Sequence, residues 1–167
     1  WNLVTTQFLG LDVGGWAAPR FVDIDADGDV DLFIGDEEGT LTFVENNGTP
    51  SSPDWAAAVS SFGGLDFGDH SAPAFVDIDG DGDLDLLSGR SDGALAYAQN
   101  DGSVNSPNFT MVVTQYPGID TGHYSTPVSA DLNGDGDSDL LLGDGDGGLN
   151  LYFYQGIGSP PQDVQSY

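Results

Sequence analysis

A chain of 167 residues with 28 acidic side chains, two arginines and no lysine carries a formal charge of −26. That charge excludes nucleic acid and anionic membrane surfaces as partners, because both reward clustered Lys and Arg. Its 38% hydrophobic residues suffice for the core of one domain or a small array of repeats. No apolar run approaches the roughly 20 residues that span a bilayer, and without cysteine there is no disulfide, thiolate nucleophile or zinc–thiolate centre.

In chain order, residues 1–8 (WNLVTTQF) lack the basic and apolar regions of a signal peptide, so a secreted form is expected to be processed or trimmed. Gly14-Gly15-Trp16 then leads into a short apolar stretch ending at DIDADGDVD, residues 23–31, where five aspartates alternate around Gly28. Two carboxylates about 5 Å apart repel by roughly 3 kcal/mol at an effective dielectric near 20, so such a run opposes a compact fold unless something positive sits within it. Only Arg20 and Arg90 are cationic, which makes a hard divalent cation the economical partner; oxygen ligands along a tight loop are what Ca²⁺ takes. Counting Asp23 as the first position, side-chain oxygens fall at the first, third, fifth and ninth, glycine at the sixth, and a backbone carbonyl is expected at the seventh, as in the front half of an EF-hand loop. The back half is absent, since the twelfth position holds Ile34, and the flanks read as strands. An EF-hand is excluded. Asp31 instead opens the next strand, so the loop is expected to be a β-hairpin whose turn the ion completes.

The loop recurs at residues 77–85 and 131–139, a period of 54, with Ser88 and Leu142 at the twelfth position. Trp1, Trp55 and Phe109 keep the same register, as do Pro19, Pro73 and Pro127. The chain therefore divides into repeats at 1–54, 55–108 and 109–162 with a tail at 163–167, all within one repeat domain. Units of this length that cannot bury a face alone form stacked or radial arrays. In the second copy the strand-like segments are WAAAVSSF, APAFVDI, DLLSG and ALAYAQN, bounded by Gly, Asn, Asp and Pro. Four strands per repeat make a propeller blade. The fold class is all-β: three tandem four-stranded propeller-type blades, completed by oligomerisation.

The pattern APAFVDIDGDGDLDLLSG…DGALAYAQNDG resembles the FG-GAP/VCBS-type repeat, which forms blades in integrin alpha-subunit propellers and in many bacterial surface and secreted proteins. The resemblance spans nearly the whole chain. It implies Ca²⁺ ligation through Asp23, Asp25, Asp27, Asp29 and Asp31, with Asp29 contributing its carbonyl. The second site carries over as Asp77, Asp79, Asp81, Asp83 and Asp85, and the third as Asp131, Asn133, Asp135, Asp137 and Asp139. Asn133 replaces a charged ligand and is expected to weaken its site. The ions in this family are mostly structural staples.

Trp16, His70 and Tyr124 align, so each blade presents a different ring just before its innermost strand. Such rings can stack on a sugar or a partner side chain, or pack between blades and line the axis. His70 and His123 adjoin Ser71 and Ser125 in no nucleophile elbow, and no enzymatic activity is expected. Glu37, Glu38 and Glu45 read as a solvated face. Asn47 and Asn108 open sequons compatible with N-glycosylation.

These readings converge on an extracellular or cell-surface, non-enzymatic, calcium-stapled module for adhesion or self-assembly. The alternative is a carbohydrate-binding lectin using Trp16, His70 and Tyr124 or the clefts between blades. Half of the acidic residues lie in the three loops, and millimolar Ca²⁺ occurs outside the cell. Residues 1–8 align with 55–62 and 109–116, each the outermost strand of the preceding blade. They are expected to complete the third blade of another copy, giving a six-bladed dimer or an open filament; a glycan or surface protein is the other expected partner.

Overall fold

Strand-forming residues in short runs, cut every few positions by glycine and aspartate, give many short strands. The computed structural model describes residues 2–154 and 162–163, and among these there is no α-helix. The first sheet contains β1 (Ala18–Val22), β2 (Asp31–Gly35) and β3 (Leu41–Val44). The second contains β4 (Ala72–Val76), β5 (Asp85–Gly89), β6 (Leu95–Asn100) and β7 (Phe109–Val113). The third contains β8 (Thr126–Ala130), β9 (Asp139–Gly143), β10 (Leu149–Phe153) and the two-residue β11 (Gln162–Asp163). All pairings are antiparallel between neighbours in sequence, and the register repeats: Pro19 opposes Ile34, Pro73 opposes Ser88 and Pro127 opposes Leu142.

The second and third repeats each hand their opening segment to the sheet before. Residues 109–113 form β7 on the edge of β6. The equivalent segment beside β3 makes only two bridges, Phe43 to Val59 and Asn46 to Trp55, where a full strand WAAAVSSF was expected. Three consecutive alanines explain the difference, since they offer no cross-strand side-chain pairs, whereas Phe-Thr-Met-Val-Val is rich in strand formers. At the edge of β10, where residues 1–8 of another copy were expected, β11 of the same chain pairs with Tyr152 and Phe153. Leu3 and Val4 stand in solvent, and Trp1 lies outside the described residues.

The core sits between sheets. Strands β2 and β5 are buried along their whole length: β5 has a sheet on each face, whereas the outer side of β2 is covered by Leu11, Val13 and Trp55. Ile24, Phe33 and Leu41 of the first repeat pack with Phe67, Phe75 and Leu86 of the second. One period on, Val76, Leu87 and Leu95 pack with Ile119 and Leu142. Phe33 is fully enclosed, a burial that contributes about 2–3 kcal/mol. Phe109 joins the first of these clusters, and the partly buried Trp55 packs beside Leu32, Ile34 and Val44.

Buried serines join neighbouring sheets. The Ser71 hydroxyl donates to the Thr40 carbonyl at 2.6 Å and accepts the Asp36 N–H at 2.9 Å. Ser125 repeats the joint with the Ala94 carbonyl at 2.6 Å and the Arg90 N–H at 2.9 Å. Gly35 and Gly89 make room for this approach, because a Cβ at either would overlap the carbonyl oxygen of Ser71 or Ser125. Among the described residues the three sheets form an open array whose first and third members each keep one outer face without a facing sheet.

Candidate metal centres

Each aspartate loop joins the first two strands of its sheet and is wound by hydrogen bonds from its own backbone to its own carboxylates. In the second loop Asp77 accepts the N–H groups of Gly80 at 2.7 Å and Gly82 at 3.0 Å. Asp79 accepts from Asp81 at 3.2 Å and Asp81 from Asp83 at 3.0 Å. The ninth-position carboxylate ties the loop to the sheet: Asp31 accepts the Asn46 N–H at 2.8 Å, Asp85 the Asn100 N–H at 2.8 Å, and Asp139 the Tyr154 N–H at 3.0 Å. These N–H groups use up only part of the oxygen inventory of each loop.

The remaining oxygens converge. Asp23, Asp25 and Asp27 each offer one carboxylate oxygen within 4.8 Å of the others, and so do Asp77, Asp79 and Asp85. Asp23 Oδ1, Asp29 Oδ1 and Asp83 Oδ1 are buried without a hydrogen-bond partner. A buried, unpaired carboxylate oxygen costs several kcal/mol or is neutralised. Protein cations do not neutralise these: among the described residues the ion pair is Arg90 with Asp92 at 2.9 Å, at the turn after β5 rather than in a loop. Burial pushes the Asp31 carboxyl up to about 6, against the N–H groups of Asn46 and Ile24 that pull it down. Burial, and then the charges of Asp81, Asp85 and Asp79, push Asp83 up to about 6 as well. Asp29 and Asp85 are raised for the same leading reason. The donor set is all oxygen, anionic and unpaired, which fits a hard divalent cation.

The loops are not equivalent. The tight group takes in Asp27 in the first loop and Asp85 in the second, with Asp31 and Asp81 outside the respective groups. Among the described residues no three carboxylates of the third loop meet within that distance. There the Asn133 amide donates to Asp135 at 2.9 Å, setting an N–H where the other loops set an oxygen. Asp29 and Asp83 were expected to offer a carbonyl, yet their side chains are themselves buried in the loop.

Sequence reasoning also missed the fourth loop position, where Ala26, Gly80 and Gly134 are all left-handed, with φ of 56°, 78° and 80°. The glycines in two copies were the available signal. It likewise missed Asn46 and Asn100, whose Oδ1 atoms accept the N–H groups of Asp54 at 2.9 Å and Asn108 at 2.8 Å and so brace the outer segment behind the ninth-position aspartate.

The three ring residues lie at the other end of the inner strands and meet one another. Trp16 stacks on Tyr124 with centroids 5.7 Å apart, and His70 stands edge-on to both at 5.0 and 5.2 Å. All three are left-handed, with φ of 56°, 63° and 48°. Trp16 remains 63% exposed, while His70 Nδ1 is buried without a partner. Asn47 and Asn108 are both exposed.

An L-residue in the left-handed region is strained by about 1–2 kcal/mol. Ala26→Gly should therefore stabilise the chain by about 1 kcal/mol, less the added entropy of an unfolded glycine, as read by urea denaturation. A second expectation concerns pH. Asp31 and Asp83 hold protons more tightly folded, near 6, than their ordinary 3.8, so the folded metal-free chain binds the extra protons. In EDTA, unfolding temperature should rise as pH falls from about 7 towards about 5, and gain nothing more below about 4. With excess Ca²⁺ the slope should reverse, because protons then compete with the ion.

The family described as FG-GAP-like repeat matches residues 23–88 and again 77–142, two matches offset by the period of 54 and each opening on an aspartate loop. No curated protein matches the chain. With 23–142 covered, and with loop, strand pairing and inter-sheet core repeating in that same register, the chain belongs to the FG-GAP-like repeat family.

Proposed function

We propose that the chain is a calcium-stapled β-propeller repeat module that works outside the cell as a structural and binding element. The observation that carries this reading is the two convergent carboxylate groups, Asp23, Asp25 and Asp27 in the first loop and Asp77, Asp79 and Asp85 in the second, with Asp23 Oδ1 buried and unpartnered, in a chain without lysine. Asp23, Asp25, Asp27 and Asp31 would hold the first ion with the Asp29 carbonyl, and Asp77, Asp79, Asp81 and Asp85 the second with that of Asp83. Asp131, Asn133, Asp135, Asp137 and Asp139 would hold the third. Bound there, the ion supplies positive charge that lets the hairpin turn close; it supplies no reaction. Ca²⁺ suits a flexible, oxygen-rich loop better than Mg²⁺, which demands near-octahedral geometry. Sites of this kind fill where Ca²⁺ is millimolar, which favours an extracellular or surface location. The Ser71 and Ser125 hydroxyls are committed to backbone joints, which speaks against a nucleophilic role beside His70 or His123.

Calcium should raise the unfolding temperature steeply and EDTA lower it, with Mg²⁺ a poor substitute, as read by calorimetry. Titration should resolve the third site as the weakest, and Asn133→Asp should tighten it by roughly tenfold. An unfolding temperature indifferent to verified metal removal would overturn the assignment.

The meeting of Trp16, His70 and Tyr124 favours a second reading, a carbohydrate-binding surface in which the exposed Trp16 face stacks on a sugar ring. Glycan-array binding that disappears in Trp16→Ala while calcium-dependent melting persists would support it. No binding to any glycan by the calcium-loaded chain would remove it.

A further inference from the structure

We propose that the outer face of the third sheet in one copy of this chain packs into the outer face of the first sheet in a second copy, making a joint of the same kind as the two inside each chain. The proposal rests on the reading of the chain as a propeller-type module and names its partner.

The internal joints show what each side must provide. On the projecting side, the first repeat offers Ile24, Phe33 and Leu41 to the second, and the second offers Ile78, Leu87 and Leu95 to the third. One further period along, the third repeat carries Leu132, Leu141 and Leu149 at these positions, with Leu151 where Phe43 and Tyr97 stand. The residues remain apolar while their surroundings change: Leu41 and Leu95 are 0% exposed and Leu149 is 72% exposed; Ile24 is 5% exposed and Leu132 52%. An apolar row that repeats the pattern of two largely buried rows and leaves Leu132 and Leu149 exposed, with Leu141 and Leu151 half-buried, is built to be covered.

The receiving side is present in the same chain. The second sheet receives the first through Phe75 and Leu86, flanked by Leu65 and Phe67 from the segment before β4. The first sheet carries Phe21 and Leu32 in that register, flanked by Leu11 and Val13. These line an open groove of about 470 Å³ together with Phe8 and Ile34, and Phe21 is half exposed at its edge. Knob and socket thus belong to one chain and match in register, which fits a second copy better than an unrelated partner. The contact is head-to-tail, so it closes if the rotation allows and propagates otherwise.

One position differs. The serines that join sheets internally, Ser71 and Ser125, correspond to Ala17 in the first repeat. The contact between copies therefore lacks a hydroxyl that both internal joints have, and it forms as the weaker joint. This gives a variant that should strengthen assembly rather than break it.

The test is sedimentation velocity of the full 167-residue chain in millimolar Ca²⁺ from about 1 to about 100 µM, with calcium-dependent melting recorded on the same samples. Dimers or a ladder of larger species are expected, a lone dimer reporting the closed ring and a ladder the open form. Leu149→Asp should weaken association by at least about tenfold, since a charge would enter an apolar contact, and should leave melting in Ca²⁺ unchanged because this side chain is exposed in the single chain and lies outside the aspartate loops. Ala17→Ser should tighten association by roughly fivefold. A chain that melts in a calcium-dependent way yet stays monomeric throughout the range would overturn the proposal, as would association indifferent to both variants. Loss of calcium-dependent melting would instead overturn the functional reading beneath it.

Discussion

Everything in this chain is arranged around carboxylates that have no protein cation to meet. Five aspartates at alternate positions of one turn repel by several kcal/mol in total, and two arginines in the whole sequence cannot answer two such turns and a third with four. The backbone answers part of the charge by aiming N–H groups at the carboxylates, as Gly80 and Gly82 do at Asp77. What is left points inward as unpartnered oxygen, at Asp23, Asp29 and Asp83. The same loops connect the first and second strands of each sheet, so strand pairing and charge neutralisation are one problem. Asp31 and Asp85 show the coupling most directly, since each is the first residue of its second strand and also accepts an N–H from the far end of the third or from just beyond it.

The second constraint is that no sheet here can hide its own faces. Five-residue strands such as β2 and β5 are apolar on both sides, and the enclosed positions Phe33 and Leu87 are covered by the following repeat. Stability in such an array is a sum of modest intrinsic terms and neighbour terms. The neighbour terms are apolar contact and the Ser71 and Ser125 joints, in which a small hydroxyl satisfies a buried donor and a buried acceptor at once. Gly35 and Gly89 follow from this closeness, not from any unusual backbone angle of their own.

Much of this was legible in the sequence because period, loop and strand chemistry agreed. Identical spacing of Pro19, Pro73 and Pro127 forecast the identical strand registers that are found. The assignment of Asp and Gly positions forecast the convergent groups of the first two loops. What stayed hidden depended on three-dimensional neighbours. Ala56, Ala57 and Ala58 align with Thr110, Met111 and Val112 of β7, but only cross-strand packing decides whether a strand forms. Trp16, His70 and Tyr124 were seen as equivalent, yet that three rings 54 residues apart would touch depends on how tightly the inner strands gather. Ser71 and Ser125 looked like ordinary loop residues because their partners, Thr40 and Ala94, lie about thirty positions away in sequence, 31 in each case.

Departures from the repeat are unevenly placed, and burial explains where. The middle sheet is covered on both sides, and it holds the strict version of each device: all five aspartates, serine at the joint, asparagine behind the ninth-position carboxylate, and a full fourth strand. The outer repeats each relax something that solvent can repair. Ala17 lacks a hydroxyl on a face with no neighbouring sheet, Asn133 replaces a carboxylate in a loop that is exposed along most of its length, and Tyr154 stands where Asn46 and Asn100 stand. A buried polar group left unpaired costs about 1–3 kcal/mol, whereas the same group in water costs almost nothing. The middle repeat therefore has no freedom to drift, and the outer repeats keep to the pattern where apolar residues meet: Leu132, Leu141 and Leu149 on one side, and Phe21 and Leu32 on the other. Polar precision has loosened at the two ends of the array while apolar register has been kept, which is the distribution expected if those ends are covered by contacts weaker than the internal ones but of the same geometry.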